Sequence, residues 1–99
     1  MALTTEQAMQ QGVASHREGN LQEAERLYRA ILQTQPGHPD ANHNLGLIAL
    51  AANAAEAALP LFKTALEINP AVEQFWLSYI AVLIRLGLLE PAKGVLERA

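Results

Sequence analysis

Cysteine is absent from the 99 residues, which removes disulfides, thiolate metal ligands and a cysteine nucleophile together. No block of one charge sign exists either: the formal net charge is -3, and Glu23, Glu25 and Glu56 alternate with Arg17, Arg26, Arg29 and Lys63. That mixture excludes the basic footprint of a nucleic-acid binder or of a protein that adheres to anionic membranes. No apolar run reaches the roughly 18 to 20 residues of a membrane span, and the opening MALTTEQAMQQ lacks the basic flank and apolar stretch of a secretory signal. The expectation is a soluble, cytoplasmic protein with neither membrane nor nucleic-acid partners. No glycine-rich phosphate loop follows a strand pattern, and no serine, histidine and acid set stands out. No catalytic residue and no cofactor are therefore assigned.

What is present is a chain whose apolar content, 51%, suffices for one small domain or one continuous stack. Thr4 followed by Gln7 reads as a capping box opening a helix over 5–18, which Gly19-Asn20 stops. Leu21, Ala24, Leu27, Tyr28, Ile31 and Leu32 recur at steps of three and four, predicting a second helix over 21–35. Pro36 ends it and Pro39 opens a third over 39–52, where a missing first-turn N–H costs nothing and Asp40 suits the macrodipole. Asn53 is the next best residue after glycine for a left-handed cap. A fourth helix is predicted over 55–69, slightly bent at Pro60, a fifth over 72–86 closed by Gly87, and a sixth from Leu89. No strand is predicted.

The stretch NHNLGLIALAANAAEAALPLFKTALEINP carries a spaced pattern with a period of 34. Gly46 falls on Gly12, Ala58 on Ala24 and Ala92, Phe62 on Tyr28 and Leu96, and Pro70 on Pro36. This period and these offsets resemble the tetratricopeptide repeat, over nearly the whole chain. The resemblance implies an all-α, right-handed α-α superhelix: a solenoid of two complete repeats, 5–38 and 39–72, and an incomplete third, 73–99. Ala8, Gln11 and Ser15 depart from the bulky residues of the family pattern. Because the third repeat stops at position 27, the expectation is the N-terminal piece of a longer protein. An apolar face of the last helix, including Leu88, Val95 and Leu96, would then be open to self-association.

The resemblance also implies a function, that of a protein-protein interaction module whose first helices line a concave groove for a peptide or partner domain. Carried over by position, that groove presents Met9, Gln10, Val13, His16 and Arg17, then His43, Asn44, Leu47, Leu50 and Ala51, then Gln74, Leu77, Ser78, Ala81, Ile84 and Arg85. Of the carboxylate-clamping subclass only Asn44 is retained, with Met9, Val13, Gln74 and Ser78 replacing its lysine, asparagine and arginine positions, so a clamped C-terminal carboxylate is not expected. The asparagine ladder of another subclass reads Gln10, Asn44, Ser78. His16, His38 and His43 lack the spacing of a zinc motif, and no metal site is assigned. As an alternative, the phrase AAEAALPLFKTALEINPAVEQFWLSYI looks similar to repeats that precede catalytic domains in bacterial glycosyltransferases related to the O-linked N-acetylglucosamine family and in some bacterial sulfotransferases. There the segment would dock acceptor protein or serve as scaffold.

Overall fold

A computed structural model of the chain describes residues 3–98. They form six helices and no strand: α1 Thr5–Arg17, α2 Leu21–Thr34, α3 Pro39–Ala51, α4 Ala55–Ile68, α5 Glu73–Arg85 and α6 Leu89–Arg98. Each helix packs mainly on its neighbours in the chain, and α3 also meets α5, which makes an elongated body of 47 × 25 × 19 Å. This is the all-α stack of helix pairs that the 34-residue period implies.

Local chemistry sets the ends of these elements. Thr4 and Gln7 form the capping box, with both reciprocal bonds at 3.0 Å. Asn20 caps α2 through its side chain, and His38 caps α3, its Nδ1 accepting from the N–H of Ala41 at 3.1 Å. Ala54 and Val72 occupy the same place before α4 and α5 with no side-chain bond to offer. The turn inside each pair is built one way three times: Gly19, Asn53 and Gly87 adopt φ of 80°, 62° and 76°. In each the following N–H reaches back to the carbonyl of Ser15, Ala49 or Leu83 at 2.8 Å. Pro60 does not break α4, which runs through it. The turns between pairs have a repeated bond as well. Asn42 Nδ2 donates to the carbonyl of Pro36 at 3.0 Å, and 34 residues on Trp76 Nε1 donates to the carbonyl of Pro70 at 2.7 Å.

Within the first two pairs a glycine faces an aromatic ring. A Cβ on Gly12 would lie 2.6 Å from Tyr28 Cε1, and one on Gly46 would lie 2.6 Å from Phe62 Cε1. Both rings are fully buried, beside Ala24 and Ala58. The third pair departs from the expectation that Leu96 takes the place of these rings. Ile80 stands where Gly12 and Gly46 stand, so the cleft that admits a ring is already occupied. Leu96 is 63% exposed and Val95, at 2%, enters the core with Leu83 and Ala92 instead. Val95 therefore does not belong to an open apolar face, as the sequence suggested.

The two ends of the stack differ. Toward the preceding pair, α3 directs Ala41, Leu45 and Ile48, and α5 directs Phe75, Tyr79 and Val82, nearly all buried. The equivalent residues of α1 are Gln7, Gln11 and Ala14, all exposed. At the other end Leu77, Ile84, Leu88 and Leu96 are exposed.

Candidate functional site

The residues assigned to a groove divide into three groups. Met9, Val13, Asn44 and Leu47 are half-buried, while Gln10, Arg17, Leu77 and Arg85 are exposed on α1 and α5. His43 and Ser78 do not line a groove at all, contrary to the sequence reading, because they are 5% and 6% exposed. His43 Nε2 and Ser78 Oγ are 2.8 Å apart, and the imidazole packs on Phe75 and Phe62 with ring centroids 4.8 and 5.4 Å away. The physical reason is lateral: Phe75 and Ser78 of α5 close over α3 and convert a surface position into the junction between two helix pairs. Burial holds the His43 imidazole below its usual pKa, against smaller opposing effects of the Asn44 side chain and the Asp40 charge. His43 is thus a neutral, hydrogen-bonded packing residue. Leu47 likewise leans on the Ala58, Phe62 and Val82 cluster.

The recesses on this face lie along α1. Val13, His16, Arg17, Tyr28 and Asn44 enclose a recess of about 270 Å³ between α1, α2 and α3. It adjoins a second depression lined by Met9, Gln10, Val13, Ala14 and Arg17. Tyr28 brings a fully buried ring to the recess, fixed by the absence of a side chain at Gly12. Asn44 Nδ2 donates a long bond to its hydroxyl, 3.5 Å, and the His16 ring meets it edge-on at 6.5 Å. Burial pushes the Tyr28 phenol up, with Asn44 pulling the other way, so the hydroxyl keeps its proton. On α5, Arg85 Nη1 approaches the Leu50 carbonyl at 3.4 Å, and Leu77 is 51% exposed.

Sequence reasoning credited Tyr28 to stacking alone; its buried ring also forms the floor of the recess between α1, α2 and α3.

A sequence model of the tetratricopeptide repeat matches residues 49–99, more than half of the chain. The chain belongs to the tetratricopeptide-repeat family. No curated protein matches it. Membership accounts for the three helix pairs, their shared turn geometry and the 34-residue equivalences, and tetratricopeptide repeats mediate protein interactions. Among the described residues no group of three His, Cys, Asp or Glu could hold a metal ion, and no helix is long and apolar enough to cross a membrane. Every buried side-chain nitrogen and oxygen among them has a hydrogen-bond partner.

Proposed function

We propose that this tetratricopeptide-repeat domain binds an extended segment of a partner protein along the face of α1, α3 and α5. One observation carries the reading. Recesses on this face are bounded by half-buried apolar side chains, Met9 and Val13, next to polar groups that still have hydrogen-bonding capacity, Gln10, Arg17 and Asn44. That pairing suits a ligand offering apolar side chains and backbone groups together. No chemistry is assigned to the domain itself.

The test is capture of partners by the intact protein, compared with Asn44→Ala and Gln10→Ala variants. Gln10 is exposed and lines the recess beside Met9, which makes it a better choice than Leu47, whose packing on the Phe62 cluster would confound binding with unfolding. Loss of the same partners in both variants, with melting curves unchanged, is expected; unchanged partners would refute the proposal. Placement of the domain before a glycosyltransferase or sulfotransferase rests on the phrase over residues 54–80 alone, and the coding sequence beyond Ala99 tests it.

A second reading concerns Leu77, Ile84, Leu88 and Leu96, four exposed large apolar residues on the last helix pair. They favour self-association through this end. The polar α1 face disfavours a head-to-tail chain, so a closed pair with the same end on both copies is the symmetric solution. Sedimentation over a wide concentration range should show a monomer-dimer equilibrium that Leu96→Glu abolishes, and a strict monomer would rule it out.

A further inference from the structure

We propose that the recess formed by Val13, His16, Arg17, Tyr28 and Asn44 takes an acidic side chain of the bound segment, an aspartate or glutamate flanked by apolar residues. This rests on the peptide-binding reading above and adds the chemistry of the ligand. The first support is the charge distribution. The groove positions of α1, α3 and α5 carry Arg17 and Arg85 and no carboxylate, in a chain whose formal net charge is -3. The acids of these helices, Glu6, Asp40 and Glu73, sit in the first turns, whereas Arg17 and Arg85 sit in the last. The side-chain charge of α1 and α5 is therefore polarised along these two helices, with Arg17 placed at the recess. Glu18, the C-cap residue of α1, is the nearest acid in sequence and does not line the recess.

The second support is a surplus of donors. Arg26 and Arg29 on α2 are ion-paired with Glu23 and Glu25, but among the described residues Arg17 has no ion pair. The Tyr28 hydroxyl accepts from Asn44 at the buried floor of the recess and is not itself within reach of a ligand. The second Asn44 amide proton remains to be used, and the guanidinium brings a planar fork of N–H groups. A carboxylate accepts from several donors at once and would satisfy both Arg17 and Asn44, with the charge-assisted bond to Arg17 the strongest. A backbone carbonyl would satisfy fewer, and a phosphate would meet one arginine where a dianion needs more. This differs from capture of a chain terminus by a pair of fixed cations, since neither a lysine nor a second arginine stands beside Arg17 in the recess.

The experiment uses the isotopically labelled 99-residue chain and three small probes, the N-acetyl, N-methylamide derivatives of glutamate, glutamine and leucine. Titration followed by NMR should shift the Asn44 side-chain amide and Arg17 Nε–H signals with the glutamate probe, and its affinity should exceed that of glutamine by about tenfold. Arg17→Gln and Asn44→Ala should each erase that preference with melting curves unchanged, since neither side chain belongs to the buried core. Raising salt should weaken the glutamate probe alone. Equal shifts by glutamate and glutamine would overturn the acidic-ligand proposal and leave the peptide groove standing. If no probe perturbs α1 or α3, both fall.

Discussion

Replacing Gly46 by alanine ought to stabilise an α-helix, by about 1 kcal/mol on helix propensity alone. The structure predicts the opposite sign. The new Cβ would stand 2.6 Å from Phe62 Cε1, 2.8 Å from Cδ1 and 3.1 Å from Cζ, against the roughly 3.5 to 4 Å of an ordinary carbon contact. The ring must move by about an ångström to restore that distance. It is fully buried among Ala58, Val82, Leu47 and Leu59, so it cannot swing into solvent. Overpacking of this kind costs about 1 to 3 kcal/mol, and after the propensity gain a net loss of up to about 2 kcal/mol remains. In a domain of this size that lowers the melting temperature by about 4 to 8 °C per kcal/mol, measurable by far-UV circular dichroism with heat or urea. The third pair supplies the compensating change, since it has Ile80 and Leu96 in place of glycine and ring. Phe62→Leu alone should destabilise by opening a cavity, while Gly46→Ala with Phe62→Leu should lose less than the sum of the two, with a coupling of about 0.5 to 3 kcal/mol. A Gly46→Ala variant more stable than the parent, or strict additivity in the cycle, would refute the close-approach argument.

Ala54 precedes α4 with no side-chain cap, so Ala54→Asp should raise stability by about 1 kcal/mol in denaturant titrations, and no gain would mean the α4 end is already satisfied. Asn53 holds φ at 62°, so Asn53→Ala should cost about 1 kcal/mol and Asn53→Gly should not, with equal melting temperatures counting against a strained turn. His43 is expected to make stability fall with acid. Its pKa in the folded chain is lowered from the ordinary 6.5, chiefly by burial, so the unfolded chain binds more protons on the acid side. The contribution is complete above about pH 6.5 and is lost progressively below it, as the pH falls through the lowered pKa of the folded chain, by no more than about 1.4 kcal/mol per pH unit. His43→Gln should flatten the acid side of a plot of melting temperature against pH, and an unchanged slope would show that another group is responsible.

The fold was legible because the residues that specify it answer to local or repeated rules. Gly19, Asn53 and Gly87 mark the same left-handed turn at intervals of 34, and Thr4 with Gln7, Pro36 and Pro39 act within a few residues of themselves. Helix ends read from these residues fall within about a residue of those observed. The period misled only where a partner position had changed. Leu96 inherits the place of Tyr28 and Phe62, but a side chain enters a cleft only if the facing helix leaves one, and Ile80 does not.

The site was legible less well for a related reason. Whether a first-helix residue is covered depends on what the next pair lays against it, and that is a property of two segments about 34 residues apart. Met9, His43 and Leu77 are equivalent in the period, yet they are half-buried, buried and exposed in turn, because α5 brings Phe75 and Ser78 to His43. The same dependence identifies the positions left for binding. Gly12 is fixed by the Tyr28 ring and His43 by Ser78, so changes there act through stability. Arg17 serves no stacking contact: it is exposed without an ion pair among the described residues. A helical stack can lose this group without losing its fold, so under the acidic-ligand proposal Arg17→Gln should remove selectivity for the ligand and leave the melting curve where it was.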